Sequence, residues 1–409
     1  MRLLTLLLAL AATALTAVAG ADPTAPATAA PAPHDARQPA PAEPVVLDDA
    51  ADPADEAAAW AAGDCARCHV VPGHEEEPRT RNCATCHQWI RNISASPAAR
   101  ERAMQVFPLW ERYERNTRSY LPVPSLAAAM ARLDPAWVEG YLADPHDLRP
   151  GLPEGMPRFA LTAAQRRVLA AAFVGDAYDG PPTPKPTTDN LERGERLFQE
   201  RGCVACHAFG GRNPVAGNPQ SPDLAWTRDR MTPDMAFAWI ENPQAVSPHA
   251  TMPNLGLLAA EALAVRDYIL LADLQWNPAP PPPSLPAPTT DPVTWAQVEE
   301  RVFGRICVHC HMNPDLNEGR AGPGNAGGFG WPATGIELQT YEGVVAASAR
   351  IPDSLARRAH EAARDAVGPG VEPASIQRPE RPGMPLGLPP LSDDDVALVL
   401  GWIAQGMPR

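Results

Sequence analysis

All eight cysteines of this 409-residue chain fall into four Cys-x-x-Cys-His motifs. These are Cys65-Ala66-Arg67-Cys68-His69, Cys83-Ala84-Thr85-Cys86-His87, Cys203-Val204-Ala205-Cys206-His207 and Cys307-Val308-His309-Cys310-His311. Disulfides or a four-thiolate zinc site would account for the thiols. Neither calls for a histidine after every second cysteine. The pattern is the attachment signature of c-type haem: two thiols bond the vinyl groups and the adjacent histidine ligates iron. Four covalently bound haem c groups are therefore expected. Cys65, Cys68, Cys83, Cys86, Cys203, Cys206, Cys307 and Cys310 are their anchors, and His69, His87, His207 and His311 their proximal ligands.

Residues 1–20 read as a signal peptide, with Arg2, an apolar run Leu3–Val18 and small residues at two cleavage positions. Export is expected, to the periplasm or beyond, with a soluble product and no spanning helix after cleavage. The formal net charge is −14, which argues against nucleic acid as a partner. Fifty prolines far exceed the usual share, and many lie in three separators. The boundaries read as an Ala/Pro-rich disordered linker at 21–53, a module at 54–178, a linker at 179–187, a module at 188–275, a linker at 276–292 and a module at 293–409. The third separator, with Pro280 to Pro283, reads as a stiff extended spacer.

The middle module is the plainest. A helix over Asn190–Arg201 leads to Cys203, with Gly194 and Phe198 four apart on one face. After His207 come Pro222 and Leu224, a short helix near Pro233–Ile240, Met252-Pro253, and a closing helix with Tyr268. This order resembles the class I cytochrome c family. The resemblance implies Met252 as distal iron ligand, a loop-proline carbonyl from Pro222 on the proximal imidazole, and two terminal helices crossing through Gly194, Phe198 and Tyr268. His/Met ligation raises the reduction potential.

The first module repeats the pattern. Pro124, Leu126, Arg132, Pro135 and Pro145 each precede a like residue by 98 positions, and Met156-Pro157 precedes Met252-Pro253 by 96. Thr162 and Gln165 read as a capping box opening the last helix. The repeat fails upstream, where extra residues and a second motif intervene. Pairing by the shorter insertion assigns Met156 to the haem at His87. The haem at His69 is then without an evident distal ligand, with His74, Met104 and His146 as candidates. The third module is the least regular. It resembles planctomycete-type cytochrome c domains, which implies Met384 of Gly383-Met384-Pro385 as distal ligand, and Ser392 with Asp395 opens its final helix.

The expected fold is all-α: three cytochrome c-like helical modules joined by Pro-rich linkers, the first enlarged to hold two haems. The expected role is electron transfer rather than catalysis, between periplasmic redox proteins or with a membrane respiratory complex of the respiratory chain. A multihaem oxidoreductase, peroxidase-like or acting on sulfur compounds, is the alternative, and it would need an open haem in the first module.

Overall fold

The computed structural model describes residues 53–409 apart from 72–77, 80–81, 116, 118–122, 127–131, 146–147, 150–154, 160, 175–179, 213–216, 219–220, 249, 276–280, 282, 314–329, 331–333, 366–378 and 380. The signal segment, the first linker, His74 and His146 thus lie outside the described residues. Those described form helices and loops, with no strand among them.

Helix formation follows local signals. In the middle module α7 (Leu191–Glu200) buries Gly194, Leu197 and Phe198, a one-face spacing of three and four. It crosses α9 (Ala259–Leu271), which buries Ala264, Val265, Tyr268 and Ile269. The crossing is tight because Gly194 has no side chain: a Cβ there would lie 2.1 Å from the Ala264 carbonyl oxygen. Phe198, Phe209 and Tyr268 fill the angle between the helices, with ring centroids 5.3 to 5.6 Å apart. Between them α8 (Pro233–Glu241) starts on Pro233, and the Thr232 hydroxyl accepts from Met235 N at 3.3 Å.

The first module is built the same way. Helix α1 (Pro53–Gly63) packs on α6 (Ala163–Val174). Helix α5 (Pro135–Ala143) takes the place of α8, with Pro135 in its first turn and Asp134 accepting from Ala136 N at 2.9 Å. Thr162 and Gln165 cap α6 reciprocally, at 2.9 and 3.2 Å. Ala59, Cys65, Val138, Leu142, Leu161 and Leu169 are buried in one core. Three further helices, α2 (Cys83–Ser94), α3 (Pro97–Val106) and α4 (Trp110–Glu114), form a separate layer around Ile90 and Trp110. Trp89 packs edge-on against Phe107 and Trp110 there, at 6.3 and 5.4 Å.

In the third module α10 (Trp295–Val298) runs into a π-helical turn, Glu299–Phe303. Trp295, Phe303 and Tyr341 surround Trp402 of α13 (Asp393–Ala404), whose start Ser392 caps by accepting from Asp395 N at 3.2 Å. Helices α11 (Tyr341–Ala347) and α12 (Ile351–Asp365) lie between.

The separators are tied to the modules. Thr183 N donates to Asp234 at 2.7 Å, and Arg266 donates to the Thr183 hydroxyl at 2.7 Å. Arg266 and Asp267 are both 1% exposed and ion-paired, and Asp267 also accepts from Asn190 at 2.7 Å. The sequence reads 276–292 as a spacer; its described part instead runs along α13, with Thr289 N donating to Ala397 O at 3.0 Å. Proline removes donors from such a segment, so the few remaining N–H groups fix it. The first and third modules also touch. Arg364 of α12 pairs with Asp144, Arg158 donates to Pro379 O at 2.6 Å, and Gly155 N donates to Gly387 O at 3.2 Å.

Candidate functional site

Three of the four motifs share one local geometry. Cys65–Arg67, Cys203–Ala205 and Cys307–His309 are single 3-10 turns. Asp64 and Gly202, just before the first two, are both in the left-handed region, at φ 44° and 78°. Glycine reaches that region freely, and Asp is among the few other residues that tolerate it.

Each of these three histidines is held by a two-bond clamp. His69 Nδ1 lies 2.7 Å from Pro124 O, His207 Nδ1 2.9 Å from Pro222 O, and His311 Nδ1 3.1 Å from Ile336 O. Two residues on, a leucine N–H returns a bond to the motif's end. Leu126 N donates to Val70 O at 2.9 Å, Leu224 N to Ala208 O at 2.9 Å and Leu338 N to His311 O at 2.8 Å. A carbonyl oxygen only accepts, so Nδ1 carries the proton in all three and the Nε2 lone pair is left for a metal. Burial lowers the pKa of all three histidines, while the Nδ1 bond opposes the shift. That keeps the rings neutral, as ligation requires.

The clamp identifies Ile336 as the counterpart of Pro124 and Pro222. Sequence reasoning missed it because it sought a proline. The signal was the leucine two residues later, since the carbonyl of any residue type can accept.

Insertion length assigns Met156 to the haem at His87; in the structure one cavity of about 450 Å³ is lined by Cys65, Cys68, His69 and Met156. The first motif follows α1, which packs on α6 as α7 packs on α9, so Cys65 stands where Cys203 does. The inserted layer is α2–α4, and it brings the motif at Cys83 with it. That cavity continues into the middle module, where Cys203, Cys206, His207 and Met252 line it.

The second motif is built differently. Cys83 to His87 lie in the first turns of the regular helix α2. Asn82, 8% exposed, joins this motif to the first. Its Oδ1 accepts from Thr85 N at 2.8 Å while its Nδ2 donates to Ala66 O at 2.9 Å. The thiols of Cys68 and Cys83 are hydrogen-bonded, which lowers the pKa of Cys83 and raises that of Cys68. This layer also meets the fourth motif, where Tyr113 packs edge-on against His309 at 4.9 Å.

The remaining candidates are placed as follows. Met384 N donates to Ser354 O at 3.1 Å, on a loop that leans against the segment carrying Met156. Met104 is 38% exposed on α3, its Sδ accepting from Arg100 at 3.2 Å. Gly330 lies on the His311 ring so closely that a Cβ would come within 2.5 Å of Cε1.

Burial pushes the Cys65 and Cys203 thiols up to about 11. Apolar walls, paired thiols and neutral imidazoles with Nδ1 already engaged fit a haem held through Nε2.

Fold and site together describe a helical protein in which three motif histidines hold their Nδ1 against a carbonyl oxygen. Residues 191–272 match the family model Cytochrome c. The chain thus carries a cytochrome c domain, which supports a c-type cytochrome with covalently bound haem c and a role in haem-based electron transfer. No curated protein matches the chain, and no solved structure does. Among the described residues no helix is long and apolar enough to cross a membrane.

Proposed function

We propose that this protein is an exported tetrahaem c-type cytochrome that relays electrons between periplasmic redox proteins or a membrane respiratory complex, and does not itself catalyse a substrate reaction. A haem at each motif would supply one-electron chemistry, while the protein sets its potential through axial ligand, burial and hydrogen bonding. The observation that carries the reading is the repeated clamp: His69, His207 and His311 each hold the proton on Nδ1 against a carbonyl, two residues before a leucine N–H that bonds back. Such a clamp orients the ring and raises its basicity as a ligand. Cys83, Cys86 and His87 supply the fourth attachment site.

Contacts between the motifs support a relay order that differs from the order in sequence. The site at Cys203 shares a cavity with the site at Cys65. Asn82 ties the site at Cys65 to the site at Cys83. Tyr113 and His309 join that layer to the site at Cys307. In this reading the middle and third modules hold the ends of the chain of sites, and electrons enter at one and leave at the other. Met156, Met252 and Met384 are the distal ligands, Met156 serving the site of His69. The site of His87 is the one whose distal ligand differs.

Mass spectrometry and haem quantification of the exported protein test the count: four haems are expected. Fewer would refute the reading. Magnetic circular dichroism should then give three His/Met signatures and one distinct haem. Carbon monoxide binding by the reduced protein together with peroxide turnover would refute a pure relay and favour an oxidoreductase.

A further inference from the structure

Two of the Met-Pro segments lean on each other where the first and third modules touch. Gly155 N donates to Gly387 O at 3.2 Å. Gly387 is buried at φ 65°, and a Cβ there would come within 2.9 Å of Gly155 O and 3.2 Å of Pro157. Glycine is what lets the two chains approach so closely. Met156 stands between Gly155 and Pro157, and Met384 comes three residues before Gly387.

One side chain of α12 reaches both segments. Glu361 is 5% exposed. Its Oε2 accepts from Gly383 N, the neighbour of Met384, at 3.2 Å. Its Oε1 accepts no hydrogen bond and faces the guanidinium of Arg158, two residues beyond Met156, at 3.6 Å. Arg158 also donates to Pro379 O at 2.6 Å, so it grips the start of the Met384 segment directly. The remainder of that segment is tied to α12. Arg357 donates to Pro382 O at 3.2 Å, Arg358 to Leu388 O at 2.6 Å and Met384 N to Ser354 O at 3.1 Å. A buried carboxylate is stable only while its donors and counter-charges stay near. Displacing either methionine segment moves one of them away from Glu361, and the low dielectric of the interior makes that costly.

We propose that Glu361 and Arg158 are positioning residues that set the Met156 and Met384 segments as one unit, so that a single buried ion pair fixes methionine ligation at two haems in different modules. This rests on Met156 and Met384 being distal ligands. His/Met ligation raises the reduction potential, so the potentials of those two haems stand or fall with one carboxylate. Two sites that lie far apart in the order of the relay are thereby tuned together.

The test uses the full-length holoprotein, with magnetic circular dichroism and redox titration. Met156→Ala and Met384→Ala come first. Each should remove one His/Met signature, and failure of either would overturn the ligand reading beneath this one. With both ligands established, Glu361→Gln decides, since its one carbonyl oxygen can serve Gly383 N or Arg158 but not both. It should weaken both of those signatures and lower both midpoint potentials, leaving the third His/Met signature in place. Removing a nearby anion with the ligands intact would instead raise the potentials, because ferric iron carries the extra positive charge. A rise with unchanged signatures would therefore overturn the positioning role. Arg158→Met acts from the other module and should weaken the signature of Met384 as well as that of Met156. A change confined to Met156 would overturn the coupling, and this variant decides on its own should Glu361→Gln fail to give holoprotein. Arg158→Lys, which keeps the cation, should restore most of both signatures. Asp144→Asn loosens the pair with Arg364 at the same module contact without touching either methionine segment. Loss of both signatures there would mean that docking of the modules as a whole holds the ligands, and would overturn the assignment to Glu361 and Arg158.

Discussion

Replacing Asn82 separates two jobs done by one side chain. Its Oδ1 caps α2 by accepting from Thr85 N at 2.8 Å, and its Nδ2 donates to Ala66 O, inside the first motif, at 2.9 Å. Removing an N-cap of this kind costs about 1 kcal/mol. Losing the bond to Ala66 costs about 1 kcal/mol more. Asn82→Ala should therefore destabilise α2 by about 2 kcal/mol, a shift of up to about 30-fold in the local opening equilibrium. Asn82→Asp keeps the cap, since Asp serves that position as well as Asn. Its carboxylate cannot donate to Ala66 O, so about 1 kcal/mol should still be lost. Amide hydrogen exchange in the full-length holoprotein reads this directly. Amides of α2 should exchange more slowly in the wild type than in Asn82→Asp, and fastest in Asn82→Ala, while those of α7 and α9 stay unchanged. Wild-type exchange in Asn82→Asp would refute the bridge between the two motifs. Wild-type exchange in Asn82→Ala would refute the cap as well.

Other outcomes follow from the same geometry. Met156→Ala should abolish one His/Met signature in magnetic circular dichroism, and the same one should vanish when Cys65 and Cys68 are both changed to Ser; if it vanishes instead with Cys83 and Cys86, Met156 serves His87. Gly194→Ala gains about 1 kcal/mol of helix propensity but drives a methyl to 2.1 Å from Ala264 O. Overpacking of this sort costs about 1–3 kcal/mol, so thermal unfolding should show a net loss, and a stabilised variant would contradict the tight crossing. Arg266→Met leaves Asp267 buried without its ion partner, which should cost about 3–5 kcal/mol in urea unfolding of the middle module; a cost under about 1 kcal/mol, the worth of an ordinary hydrogen bond, would mean that Asn190 and Thr187 suffice for Asp267.

Much of the fold was legible because its signals are local. Thr162 with Gln165 and Ser392 with Asp395 announced helix starts, and both caps form. Gly194 and Phe198 announced a buried helix face, and both are buried there. Pro222 was legible as the acceptor for His207 through family resemblance, and the bond is present. Ile336 was not, because a backbone acceptor leaves no mark on residue type. Arg132 and Arg230 were visible as a repeat, but nothing in their spacing said that they face one cavity.

The sequence by itself determined which thiols and imidazoles lie side by side. A motif of five consecutive residues keeps two thiols and an imidazole close together along the chain, in a 3-10 turn or in the first turns of a helix. It also determined that the first and middle modules repeat, since equal offsets need no coordinates to be seen. Which motif lies beside which methionine is a matter of tertiary structure. An insertion between motif and loop can be counted from either motif, so chain length alone leaves the placement degenerate. The packing of α1 on α6 places Cys65 and His69 on one cavity with Met156, while the helix with Cys83 and His87 lies in a layer of its own.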